Sequence, residues 1–180
     1  MEKSLSNSQL SFGKKTVYLM ITVASALVLP QIVHALGVSI GVGPALGQVL
    51  MPMYIPVLIL GFCAGPVAGA VSGIVSPILS FWITGMPSAA LLPFITIELL
   101  ACGLFSGLFK RLKINSLLQV LSVQLLSKIL RLAAVFAAVY IFRSASVGVV
   151  ATLKAMLISF PGMLIQLFVV PFIAKKAEGR

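Results

Sequence analysis

The sequence predicts an all-α integral membrane bundle of six transmembrane helices with a long first extracellular loop. Three observations carry that prediction. Of the 180 residues, 60% are hydrophobic and only 9% charged, whereas a soluble domain is nearer half apolar and about a quarter charged. The mean hydropathy of +1.17 excludes disorder, which needs low hydrophobicity and high charge. The basic residues, 13 Lys and Arg against 3 acidic ones, gather at the ends of apolar segments: Lys3, Lys14 and Lys15, then Lys110, Arg111 and Lys113, then Lys175, Lys176 and Arg180. Such clusters follow the positive-inside rule. The net charge of +10 therefore reads as orientation against an anionic bilayer, not as nucleic-acid binding.

A spanning helix needs roughly 20 apolar residues. The first candidate is 16–36. It is too long and too interrupted by Pro30 for a cleavable signal peptide, so it is expected to stay in the mature protein. A glycine-rich stretch follows over 37–48, with Gly41, Gly43, Pro44 and Gly47, and forms the first loop. The second segment, 51–63, is short for a span, and Gly65-Pro66 ends it. The third runs over 67–83, up to Thr84-Gly85-Met86-Pro87. The fourth is 88–109, the fifth 115–142 and the sixth 147–174. All belong to one transmembrane domain, 1–180. Six spans put both termini on the cytoplasmic side. A five-span alternative makes the second segment re-entrant and puts one basic cluster on the wrong side.

Small residues let helices approach closely in lipid. Gly65, Gly69 and Gly73 recur every four residues, flanked by Ala64, Ala68, Ser72 and Ser76, and the fourth span adds Gly103 and Gly107. That face serves either internal packing or the docking of a partner membrane protein. Cys63 and Cys102 have no CxxC spacing and read as small hydrophobes.

The composition speaks against an enzyme. One His and three carboxylates leave little to build with, and no HExxH, GxSxG or Walker A motif occurs. Neither a cofactor nor a metal site is expected. The informative residues are ionisable groups inside spans, which are costly in lipid and are functional candidates for that reason. Glu98 falls near mid-membrane on the fourth span. Lys128 and Arg131 reach the outer half on the fifth, and Lys154 lies about two turns into the sixth. Gln124, Lys128 and Arg131 stand at i, i+4 and i+7 and so share a face. Glu98 at matching depth can pair with one of the cations, either as a structural ion pair or as part of a solute cavity open to the outside. Three cations against one carboxylate favour an anionic or strongly hydrogen-bonding solute. His34 ends the first span, Gln48 and Tyr54 adjoin the loop, and Trp82 reads as an interface anchor.

The run Gln48-Val-Leu-Met-Pro-Met-Tyr-Ile-Pro-Val-Leu, followed by Gly61-Phe-Cys-Ala-Gly65-Pro66, Gly69, Gly73, Ser76-Pro77, Ser80 and Thr84-Gly85-Met86-Pro87, resembles one branch of a known family. With six spans, a long first loop and a short second helix, the chain resembles the substrate-binding S components of energy-coupling factor (ECF) vitamin transporters. The architecture covers nearly the whole chain, and the motif covers 48–87.

The resemblance implies a bacterial cell-membrane protein that binds one vitamin near its outer side, with the first loop as a lid. It implies docking through small residues onto a transmembrane coupling subunit driven by two cytoplasmic ATPases. The family's Ala-xxx-Ala docking pattern is broken here, because Ala24 is followed four residues on by Val28, and Ala26 by Pro30. Docking is then expected around Ala24, Ala26, Gly65, Gly69 and Gly73. Within the family, Lys128 and Arg131 suit pantothenate, a carboxylate bearing hydroxyls, with Gln124, Glu98, Lys154, His34, Gln48 and Tyr54 completing the site. Pyridoxine, hydroxymethylpyrimidine, folate and cobalamin remain open. A rival reading is a membrane scaffold subunit that only packs. A self-sufficient carrier is disfavoured, because no inverted repeat is evident.

Overall fold

The computed structural model describes residues 12–43, 45–112, 114–141, 143 and 148–177. Lys3, Lys113 and Arg180, three of the expected orienting residues, lie outside them. All regular structure among the described residues is helical, in the order α1 (Phe12–Ser39), α2 (Ala45–Leu50), α3 (Tyr54–Ala64), α4 (Pro66–Thr84), α5 (Leu92–Phe109), α6 (Ser116–Tyr140), α7 (Val149–Ile158) and α8 (Phe160–Ala177). Five segments are long and apolar enough to cross a membrane, with α2 and α3 forming one of them over Ala45–Ala64. Counting α7 and α8 as one bent span makes six.

The long first loop is not seen. α1 runs on to Ser39 and α2 takes up residues 45–50, so only 40–44 connect them. The glycines act here as a helix stop. Gly41 and Gly43 take positive φ, 77° and 64°, a region open to residues without a Cβ. The amides of Val42 and Gly43 both donate to the Gly37 carbonyl at 2.8 Å, closing the end of α1 as C-terminal caps do. Ala45 to Leu50 then has the composition to start a helix again.

Two breaks interrupt the spans. Between α2 and α3, Pro52 lacks an N–H to continue the ladder, and Met51 is turned to φ 47°. Between α7 and α8 the axis bends by 50°. The single sixth span expected over 147–174 is thus two helices. Pro161 cannot donate to the preceding turn, and its ring disfavours helical geometry at Phe160. α7 closes with the Ser159 amide on Ala155, and α8 opens with the Met163 amide on the same Ser159 carbonyl.

α4 and α5 make the most extensive helix contact, and α3 lies against α1, α4, α5 and α8. Their small residues explain the closeness. A Cβ on Gly69 would run into the Gly103 backbone, and one on Gly103 into Gly69. A Cβ on Gly73 would strike the Leu99 carbonyl, and one on Gly107 would strike Gly65 and Pro66. Ser72 and Ser106, buried in this seam, donate to the carbonyls of Gly69 and Gly103 three residues back, at 2.8 and 3.0 Å. Neither hydroxyl then needs water. This corrects the expected docking face: Gly69 and Gly73 are buried between α4 and α5, and Gly65 serves as the turn between α3 and α4 at φ 96°. Ala26 is also fully buried, whereas Ala24 is exposed on α1.

The main apolar core joins Tyr54, Val57, Leu58 and Phe62 of α3 to Leu99 and Cys102 of α5, Val120 and Val123 of α6, and Val170 and Ala174 of α8. Cys102 is buried and Cys63 half-buried, and the two form no disulfide. The outer surface is apolar too, with Met20, Val67, Ile129 and Phe172 all exposed. A soluble protein rarely presents so much, and a bilayer requires it. Trp82, near the end of α4, is 81% exposed, where an interface aromatic would sit.

Candidate solute-binding site

Glu98, Lys128 and Arg131 meet inside the bundle. Lys128 Nζ lies 3.2 Å from Glu98 Oε1, and Arg131 Nη1 lies 2.8 Å from Glu98 Oε2. The carboxylate side chain is 1% exposed. Each of its oxygens therefore takes one cation, and the cluster carries a net single positive charge. An unpaired charge at this depth is costly, so the arrangement survives only because each charge has a partner. Tyr54 adjoins both Glu98 and Arg131.

Lys128 reaches both helix breaks. Its ammonium also donates to Ser159 Oγ at 3.2 Å and touches Met51 Sδ at 3.9 Å. Ser159 in turn donates to the Met156 carbonyl. A cation is favoured beside Ser159, which ends α7, because a helix C-terminus carries partial negative charge.

A cavity of about 490 Å³ opens above the cluster, at the end of the bundle away from Lys110 and Lys175. Its walls come from Pro30, Gln31 and His34 of α1, Gly47 and Gln48 of α2, the segment Met51 to Tyr54, Ser80, the connection Met86 to Ser88, and Thr152, Ala155 and Ser159. Arg131 is the charged residue of the lining. Arg131 Nε and His34 Nδ1 are buried with no hydrogen-bond partner among the described residues. Gly47 packs face-on against the His34 ring, leaving no room there for a Cβ. That contact joins α2 to α1 beside the cavity.

Four expected site residues do not line the cavity: Glu98 and Lys128 lie in the ion cluster beside it, and Gln124 and Lys154 lie elsewhere. Gln124 is one turn from Lys128 on the side away from the cavity, which it does not line. Its amide donates to Gln166 Oε1 at 2.9 Å, and Gln166 Nε2 donates to the Leu50 and Met51 carbonyls at 3.5 and 3.3 Å. Gly162, one turn earlier on α8, would strike the Val49 and Leu50 carbonyls if it bore a Cβ. α8 thus supplies a donor to the Leu50 carbonyl at the α2–α3 break, where lipid offers no water, and a second donor to the Met51 carbonyl, which already accepts from the Tyr54 amide. The i, i+4, i+7 stripe is real, but its inner member braces the fold. Lys154 is exposed. The cavity face of α7 is Thr152, Ala155 and Ser159, and Lys154 stands about 200° round the helix from Thr152.

Sequence reasoning missed Ser159, Thr152, Gln31 and the bracing role of Gln166. The signals available were Pro52 and Pro161: each breaks a span, and broken spans in membranes line cavities. Of the expected lid, 37–48, the described residues that line the cavity are Gly47 and Gln48. No family model, curated protein or solved structure matches this chain.

Proposed function

We propose that this chain is the vitamin-binding S subunit of an ECF-type importer, and that its solute is pantothenate. One observation carries the reading: a cavity of about 490 Å³ with a buried, incompletely bonded Arg131 in its wall. That volume suits a small metabolite, since such sites run to roughly 300–1,000 Å³. Glu98 occupies one guanidinium nitrogen, and an arginine has five donors in a planar fork, so the remainder can grip a carboxylate. Lys128 is already shared between Glu98 and Ser159 and supports Arg131 from below. Tyr54, His34, Gln48 and Thr152 supply hydrogen bonds for hydroxyls and an amide. Cobalamin is far too large for this space, and pyridoxine and hydroxymethylpyrimidine offer no carboxylate. Folate carries carboxylates and is the closest alternative.

Two helices broken beside a buried polar cluster favour solute handling, because intramembrane binding sites are commonly built from discontinuous helices. With Gly69 and Gly73 enclosed, docking onto a transmembrane coupling subunit and its two ATPases falls to the exposed face of α1. Val17, Ile21, Ala24 and Val28 lie along that face and are exposed. The setting is the bacterial cell membrane, with both termini cytoplasmic. Mass spectrometry of small molecules released from the purified protein, followed by titration with pantothenate and folate, tests the proposal. Saturable pantothenate binding is expected. Absence of binding to any vitamin would sink it and leave a packing subunit, whose buried ion pair and glycine seam are purely structural.

A further inference from the structure

A second cavity, of about 300 Å³, lies at the other end of the bundle, between the first turn of α6 and the last turns of α8. Its apolar wall is Phe62, Val120, Pro171 and Ala174. Its rim is cationic: Lys110, just past α5, and Lys175, in the last turn of α8, both line it. Ser116 opens α6 on the same side, and Gln119 holds the α5–α6 connection by donating to the Leu112 carbonyl at 2.8 Å. Among the described residues, none that lines it is acidic. The start of α6, whose Leu117 amide is capped by Asn115 Oδ1, adds the partial positive charge of a helix N-terminus.

A basic rim over an apolar wall at the end of spanning helices has the shape of an amphiphile. We infer that this cavity holds the phosphate headgroup of an anionic phospholipid between Lys110 and Lys175, with an acyl chain along Phe62 and Pro171. Basic pockets between transmembrane helices suit such headgroups. Free inorganic phosphate shares the charge chemistry but makes no use of the apolar wall. The lipid site stands whether or not the larger cavity binds a vitamin.

The test is native mass spectrometry of the full chain, reconstituted with equal parts phosphatidylglycerol and phosphatidylcholine and then exchanged into detergent. The wild type should retain one phosphatidylglycerol in preference to phosphatidylcholine. Lys110→Gln and Lys175→Gln should each reduce retention about fivefold, the worth of one basic residue at an anionic surface. Ala174→Leu should reduce it as well, with both lysines in place. Lys14→Gln and Lys176→Gln, made singly, each remove the same charge from exposed positions outside the lining and should change nothing. Equal losses in either control, or equal retention of phosphatidylcholine, would overturn the site. Displacement of the lipid by inorganic phosphate would show a soluble anion as occupant and overturn the lipid assignment.

Discussion

Arg131 does two things at once: it neutralises Glu98 and it faces the cavity. Those roles separate by mutation. Arg131→Ala should weaken pantothenate binding by about 1.5–3 kcal/mol, the worth of a charged hydrogen bond, as read by titration calorimetry. Glu98→Gln should act on the fold instead. It leaves Lys128 and Arg131 facing each other across a site with no carboxylate, and breaking a buried pair costs about 3–5 kcal/mol. A clear drop in the melting temperature of the detergent-solubilised protein is expected. Unchanged melting would mean that water reaches the cations. A pairing of Glu98 with one cation was legible in the sequence, because ionisable residues in apolar spans at matching depth have few other ways to be tolerated; that both Lys128 and Arg131 reach it was not. Nor were the fates of Gln124 and Lys154. A helical stripe says which residues share a face but not where along it a cavity stops, and Lys154 sits on a helix whose direction changes at Pro161.

At the scale of elements, the glycine seam between α4 and α5 is the tightest joint. Gly103→Val should disrupt it, because the added carbons meet the Gly69 backbone, which cannot swing aside as a side chain would. A penalty of about 1–3 kcal/mol or more is expected for such overpacking, measured as loss of folded material on size exclusion. Gly13→Ala, at a position with open space around it, should be silent. The repeat of Gly69 and Gly73 announced a close contact, but a repeat does not name its partner; the structure places α5 there. Gln166→Leu tests the other joint. It removes the side-chain donor from the Leu50 carbonyl and leaves the Gln124 amide only its 3.4 Å bond to the Met163 carbonyl, while the Met51 carbonyl keeps the Tyr54 amide; a lost buried hydrogen bond costs about 1–3 kcal/mol, so thermal stability should fall although the substitution is more apolar.

For the whole molecule, the apolar segments foretold the helices to within a few residues, except where a proline or glycine had a second use. Gly41 and Gly43 stop α1 rather than opening a loop, and Pro161 divides a span that hydropathy alone leaves whole. The described basic residues Lys14, Lys110, Arg111, Lys175 and Lys176 fall at one end of the bundle and the Arg131 cavity at the other. Reporter fusions at the two termini should therefore give the same, cytoplasmic, signal. Opposite signals would require one of the six segments to turn back before crossing.

The backbone touch of Gly69 and Gly103 has a consequence for how the cavity can change shape. Two helices in contact through their main chains have no side chains to repack, so α4 and α5 move as a single slab or not at all. The facing wall is different. α2 and α7 are short, each ends at a break, and α7 packs mainly on α6, with only sparse contacts to α2 and α8. On the proposed function, the opening that admits the solute is expected in this jointed wall, where Lys128 ties Ser159 to Glu98.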